Sequence, residues 1–556
     1  MANYTMRADG TAANLAAALN GDPDDGTGGV SECLSIAGYN SYGAGASPGD
    51  HFQFADDGGD YRGTLTIKEG GTSGNRFVYE AYSGDTPVIN GSDLIVTWSD
   101  EGSDIWSATV TTEPQQVWMD GAFGDRQEDL ISCVNEYDWF WGSNVLYVFA
   151  ASDPDTRYTT PGVEATQRDR GINTVDKDYI DIDGLTITKC DEWGVFVRQS
   201  SNITVKNCTI EWCWEHGLLV WLWATHDTDI IIEDCIARYC ASEGLAIQIG
   251  ETASVENLIF RRNTVYENGR HHYKTVYWDY HHEYTGGIKM WTHEAFPSCV
   301  GVEFYDNLCY SNGPAATILD SSQKGNGIWI DNVRGTAESP ILIYNNLCYD
   351  NHGSGIFVEI SNYVDVWSNV AYDCATGSTA DTDYAAGGIK VMTRLTHLAE
   401  NNNIFNNTVY GCHIGIQAAT YGEEAACRFN DNTFKNNICA DCTIELRVSG
   451  GASNDVTYGS GNVYNKNCFG AQSSNFIKWD STDCSTYVAF IAASSQTDNN
   501  IESDPSFTAV GTDDYSLAAG SPCIGAGENL GSPYNAALLP SSTWPDGVVT
   551  GSQDDY

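Results

Sequence analysis

Asp331 and Glu359 hold the same place in two related strings, GIWID and GIFVE, 28 residues apart. A repeat of that length predicts one coil of stacked strands, so equivalent residues on adjacent coils stand about 4.8 Å apart. Two carboxyls at roughly 5 Å suit retaining glycoside cleavage, in which one attacks the anomeric carbon and the other shuttles a proton. Like charges this close also raise one pKa, which supplies the protonated acid. The same pair could instead hold Ca²⁺ or be tolerated as a surface pair.

The elements that must position these acids are a repeat. From residue 179 to about 448, segments such as NITVKNCTIEWCWEHGLLV, PILIYNNLCYDNHGSGIFV and NNNIFNNTVYGCHIGIQA each contain two short alternating runs separated by a turn. This predicts an all-β chain, a right-handed parallel β-helix with inserted loops and capped ends. Gly194, Gly217, Gly244, Gly287, Gly327, Gly355, Gly388 and Gly415 align the coils. The first and third residues after each glycine are apolar and face the core, so the second and fourth face outward. The fourth column reads Arg198, Trp221, Gln248, Trp291, Asp331, Glu359, Met392, Ala419, and the second contains Lys289, Trp329, Phe357, Lys390 and Gln417. Aromatic, basic and acidic groups gathered on one face suit a sugar better than they suit an ordinary solvated sheet. Arg198, Trp221, Gln248, Trp291, Trp329 and Arg394 are therefore the expected substrate-binding residues.

A turn column, Asn207, Asp234, Asn263, Asn307, Asn346, Asn369, Asn407, Asn432, predicts left-handed corners whose side chains bond along the stack. Cys190, Cys213 and Cys240 share one repeat position, Cys208 and Cys235 another, Cys309 and Cys348 a third. Parallel Cβ vectors make such columns buried thiols rather than bridges. The longest insert, RHHYKTVYWDYHHEYT at 270–285, is expected to wall a cleft. Its His271, His272, His281 and His282 form two adjacent pairs without fixed ligand geometry, so no metal site is expected there.

The chain has 75 acidic residues against 27 basic, a net charge of −48. A field of this sign repels nucleic acid and anionic lipid surfaces, and excludes both as partners. A polyanionic glycan would need a local basic groove or a bridging cation, and the scarcity of basic residues argues against that substrate. The 42% apolar content excludes disorder. No stretch reaches membrane-spanning length, and the amino terminus has no basic region followed by an apolar run, so neither a membrane span nor an export signal is expected. Action outside the cell or on a virion released by lysis is expected, with oligomeric state open. The expected organisation is a cap and first coils at 1–91, a β insertion at 92–170, the main helix with its groove at 171–450, and closing coils at 451–556.

GIWID followed by ILIYNNLCYDNHGSGIFVE resembles the β-helical β-xylosidase family of glycoside hydrolases. The wider pattern of GGIK, NG, GIWID and GIFVEIS resembles pectin-lyase-like bacterial and phage β-helix proteins. The resemblance implies a carbohydrate-active enzyme with Asp331 as nucleophile, Glu359 as acid/base and no cofactor. The added sheet domain of the xylosidases is not recognised in this sequence. Lys289 and Lys390 face the same side, and Lys390 beside Glu359 would oppose the acid role. The runner-up is therefore a polysaccharide lyase, with Ca²⁺ on Asp331 and Glu359 and with Lys289, Lys390 or Arg394 as base. A third reading is a non-catalytic glycan-binding or phage tail protein.

Overall fold

The structure, a computed structural model, describes residues 1–23, 29–223, 227–250, 255–269, 285–292, 298–313, 325–377, 387–394, 396–422, 427–455, 457–471, 476–496, 499–535 and 544. The chain divides into two compact units, Met1–Trp221 with Cys235–Ala246 and Gly269–Glu283, and Leu222–Asp234 with Ile247–Asn268 and Tyr284–Tyr556. Each is built of coils whose strands stack in parallel, because alternating apolar residues can all be buried only when every coil lies in register on the next.

In the first unit one sheet runs Asn3–Met6, His51–Phe54, Phe77–Ala81, Ile180–Asp183, Ile203–Lys206, all parallel. Stacking thus begins at residue 3. The Cβ of an alanine at Gly194 would lie 2.6 Å from the Gly217 carbonyl oxygen, and at Gly217 2.5 Å from that of Gly244. The glycine column is therefore a requirement of close backbone approach. Cys190, Cys213 and Cys240 are buried with their thiols in a row, and the chain's cysteines are thiols rather than halves of disulfides.

In the second unit the sheet that carries the acids runs Gly286–Thr292, Asn326–Asp331, Ile356–Glu359, Gly387–Arg394, Ile414–Tyr421, Ile444–Ser449, Ile477–Trp479. Its corners are locked by asparagine ladders. Each Nδ2 donates to the Oδ1 of the next rung through Asn263, Asn307, Asn346, Asn369, Asn407, Asn437, Asn467 and Asn500. A second ladder runs Asn268, Asn312, Asn351.

The expected turn column is corrected in two respects. The left-handed residue is the one before each ladder asparagine: Arg262, Asp306, Asn345, Ser368, Asn406 and Asn436 have φ between 52° and 57°. Asn207 and Asp234 occupy that earlier position, and their neighbours Cys208 and Cys235 stand where the ladder would. Asn432 belongs to a separate ladder with Asn402 and Asn462, and Asn437 continues the first.

Residues 92–166 of the first unit form a four-stranded and a five-stranded sheet around their own core, including Val117, Trp139, Leu146 and Val148. The sequence identified this segment as β-rich but not as a body with a separate core. In the second unit Thr482–Cys484 turns back antiparallel on Ile477–Trp479, and the helix Tyr487–Ser494 packs Phe490 on Trp479 as a cover. Residues 506–535 lie along the coils rather than across their end: Tyr515 packs on Tyr372 and Tyr410, and Tyr534 on Trp367.

Candidate active site

Asp331 and Glu359 are paired residues on adjacent parallel strands, in the column Trp291, Asp331, Glu359, Met392. The neighbouring outward column is Lys289, Trp329, Phe357, Lys390, Gln417. Ile328, Ile330, Ile356 and Val358 between them are fully buried in the coil interior. On the same coils the rings of Tyr310 and Tyr349 are 4.9 Å apart, and those of Tyr349 and Tyr372 are also 4.9 Å apart. That separation matches the spacing of adjacent strands, about 4.8 Å, at which the registered backbones of Asp331 and Glu359 stand.

Each acid closes its strand, and the residue after it turns out of the ladder in the left-handed region: Asn332 at φ 59° and Ile360 at φ 40°. Asparagine adopts this conformation readily. A β-branched residue there is strained, at a cost of order 1–3 kcal/mol, and such strain concentrates at functional sites.

The outward face is covered rather than open. Glu359 is 0% exposed, and Trp329, Phe357, Met392 and Ala419 form a buried cluster of their own outside the coil interior. Trp329 is corrected as a sugar platform, because Lys289 Nζ lies 3.8 Å from its ring centre and Phe357 stacks on it at 5.4 Å. Trp291 is half-buried, with Lys289 Nζ 5.1 Å from its ring. Lys390 is buried, its Nζ 5.4 Å from the Phe357 ring.

Burial raises the pKa of both acids, and Asp331 raises that of Glu359 further by like-charge repulsion. Lys289 and Arg394 pull Asp331 down, and Arg394, Lys289 and Lys390 pull Glu359 down, but burial prevails for both. Lys390, expected to oppose the acid role, has the smallest of these effects on Glu359. Arg394 is the direct partner: its Nε sits 2.9 Å from Glu359 Oε1. Asp331 is half-buried, and its Oδ1 has no hydrogen-bond partner among the described residues.

The other expected residues are placed as follows. Arg198 and Trp221 belong to the first unit, where the guanidinium stands 5.1 Å from the indole ring as a cation–π pair. Gln248 is half-buried on the strand Leu245–Ile249. His271, His272, His281 and His282 lie outside the described residues. Among the described residues no three His, Cys, Asp or Glu side chains converge as a metal site, so Asp331 and Glu359 stand as a pair.

Sequence reasoning missed three outward residues further along the same sheet: Tyr421, Arg447 and Lys478. The glycine alignment that defined the columns ends at Gly415, because the next coil carries Glu445 at that place.

Residues 143–309 match the family model of the right handed beta helix region. No curated protein matches the sequence. Among solved structures, XylC in complex with xylose is 14% identical over 78% of this chain and 75% of its own, with a TM-score of 0.53. A glycoside hydrolase is 10% identical over 84% of this chain and 96% of its own, TM-score 0.44. Pectate lyase Pel9A is 12% identical over 97% and 94%, TM-score 0.42. Together with the parallel sheets, the family-model match and the XylC likeness give the fold: the chain is a right-handed parallel β-helix.

Proposed function

We propose that the protein is a carbohydrate-active enzyme that cleaves glycosidic bonds with retention. The observation that carries this reading is the registered pair Asp331 and Glu359, one coil apart on one outward face. Asp331 has a buried oxygen without a hydrogen-bond partner among the described residues, and Lys289 and Arg394 offset part of the rise that burial imposes on its pKa, as suits a nucleophile that must ionise. Glu359 is enclosed and pushed up in pKa, as suits an acid.

In the first step an Asp331 oxygen attacks the anomeric carbon while Glu359 gives its proton to the departing glycosidic oxygen. In the second, the Glu359 carboxylate takes a proton from water, whose oxygen displaces Asp331 from the anomeric carbon. Both acids return to their starting protonation. The enzyme likenesses among solved structures are consistent with this chemistry and lend it no residue assignment.

A calcium-dependent lyase draws support from the cations Lys289, Lys390 and Arg394 around the same pair. The two readings differ in product. Screening the purified protein against a polysaccharide panel, with and without chelator, tests both: a hydrolase releases reducing ends without ultraviolet absorbance and ignores chelator. An unsaturated product whose formation stops with chelator would replace the hydrolase reading by the lyase. Glycan binding without turnover of any member would leave a binding protein.

A further inference from the structure

The cysteine columns of the spine hold their thiols on registered parallel strands, as Cys309 and Cys348 do, whereas Cys468 and Cys523 meet from separate segments. Cys468 belongs to a coil and is bridged in parallel to Ile438 and Ile501. Cys523 lies 55 residues further on, in the segment 506–535 that runs along the outside of the coils. Both are buried, and they pack in one cluster with Ile438, against Ile501, Phe507 and Leu517. Together they line a cleft of about 10 Å³, room for one molecule the size of water. The backbone on each side is already pinned. The Cys468 N–H donates to the Asn437 carbonyl at 2.8 Å, and the Cys523 N–H donates to Ser521 Oγ at 3.2 Å. Five residues on, the Glu528 N–H donates to Asn436 Oδ1 at 2.9 Å, and its carbonyl accepts from Asn436 Nδ2 at 2.8 Å. Cys523 is on neither strand that flanks Cys468, so the parallel Cβ vectors that keep the columns from bridging do not apply here. The two thiols share a hydrogen bond that lowers the pKa of Cys523 and raises that of Cys468, and Ser521 lowers Cys523 further against the effect of burial. By contrast, burial pushes the column thiols Cys213, Cys240, Cys348 and Cys412 well above the ordinary range. A thiolate reacts with peroxide and a neighbouring thiol resolves the product, and this pair supplies one of each.

We propose that Cys468 and Cys523 form a peroxide-driven clip that fastens the outer segment 506–535 covalently to the coils. In the first step the Cys523 thiolate attacks one oxygen of hydrogen peroxide, the O–O bond breaks, and Cys523 becomes a sulfenic acid. The departing hydroxide takes up the proton that Cys523 gave and leaves as water. In the second step the Cys468 sulfur attacks the Cys523 sulfur, the S–O bond breaks, and the oxygen leaves as water with the Cys468 proton. Two thiols and one peroxide give one disulfide and two waters, and the two electrons lost by the sulfurs reduce the peroxide. Hydrogen peroxide is little larger than water, so it suits the cleft that the pair lines. Without the bond the segment is held by side-chain contacts, Tyr515 on Tyr372 and Tyr410, and Tyr534 on Trp367 and Phe405. The bond would close a loop of 55 residues and so restrict the unfolded chain while leaving the folded contacts in place.

The test is peptide mapping of the full chain after treatment with hydrogen peroxide, with remaining thiols blocked by N-ethylmaleimide in denaturant and the digest kept free of reductant. A peptide linking Cys468 to Cys523, two hydrogens lighter than the sum of its halves, is expected, and dithiothreitol is expected to separate it. Peroxide is expected to raise the Tm of the wild type by about 2–5 °C and to leave that of Cys523→Ser unchanged. In Cys468→Ser the resolving thiol is gone, so Cys523 is expected to persist as a sulfenic acid that dimedone labels. Absence of the linked peptide, or bridges within the spine columns at equal yield, would overturn the clip. A linked peptide with an unshifted Tm would overturn the fastening of the segment. Should either variant fail to fold, the peptide map and Tm of the wild type decide.

Discussion

Arg394 reaches back one coil to Glu359 at 2.9 Å, so a guanidinium sits on the carboxyl that burial and Asp331 otherwise hold in its protonated form. The two influences oppose each other, and removal of the cation has a definite sign. Arg394→Gln takes away a charge that lowers the Glu359 pKa, so the acid stays protonated to higher pH. The alkaline limb of kcat/KM on a cleaved glycan is expected to move up by about one pH unit. An unmoved limb would detach Arg394 from the acid.

Lys289 is the stronger of the two cations acting on Asp331 and a weaker one on Glu359, so Lys289→Met is expected to move both limbs upward, the acidic limb most. The check is a pH–rate profile measured beside the wild type. A shift confined to the alkaline limb would contradict the placement.

Asp331→Asn and Glu359→Gln are each expected to lower turnover by at least about a thousandfold while thermal unfolding stays within a few degrees of wild type. Full activity in Glu359→Gln would remove the acid/base role.

Ile360 holds φ at 40°, which a β-branched side chain resists. Ile360 is also buried, so Ile360→Asn, matching Asn332 on the coil before, relieves the strain but gives up apolar packing and is expected to destabilise the fold by about 1–2 kcal/mol. Chemical denaturation measures it, and stabilisation would mean that backbone strain outweighs the packing of the Ile360 side chain.

Glu445 is 5% exposed, and burial pushes its pKa up to about 8, against 4.5 for an ordinary Glu. Between those values the folded state keeps a proton that the unfolded chain has lost, so stability falls as pH rises through the window. Glu445→Gln is expected to match wild type near pH 4 and to exceed it by of order 1–4 kcal/mol near pH 8. A stability difference that does not change with pH would assign Glu445 a purely packing role.

The sequence carried the coil alignment because it depends on two strict physical demands: glycine where backbones meet, and alternation along a strand. Those demands were enough to pair Asp331 with Glu359. Alternation gives a side chain's direction and not its cover, so Trp329 could not be told from an exposed platform. Pairs such as Asn402 and Asn407 or Asn432 and Asn437 repeat one residue type five positions apart, which is why Asn432 was drawn into the wrong ladder. Arg447 and Lys478 were lost for a third reason: the coil that brings them into register puts a buried glutamate where the aligning glycine stood.

The asparagine rungs close each corner over very different lengths of intervening chain, from 23 residues between Asn346 and Asn369 to 44 between Asn263 and Asn307. The register of the ladder therefore does not depend on how much chain lies between its rungs, and coils of unequal length still bring their strands, and the two acids, level with one another.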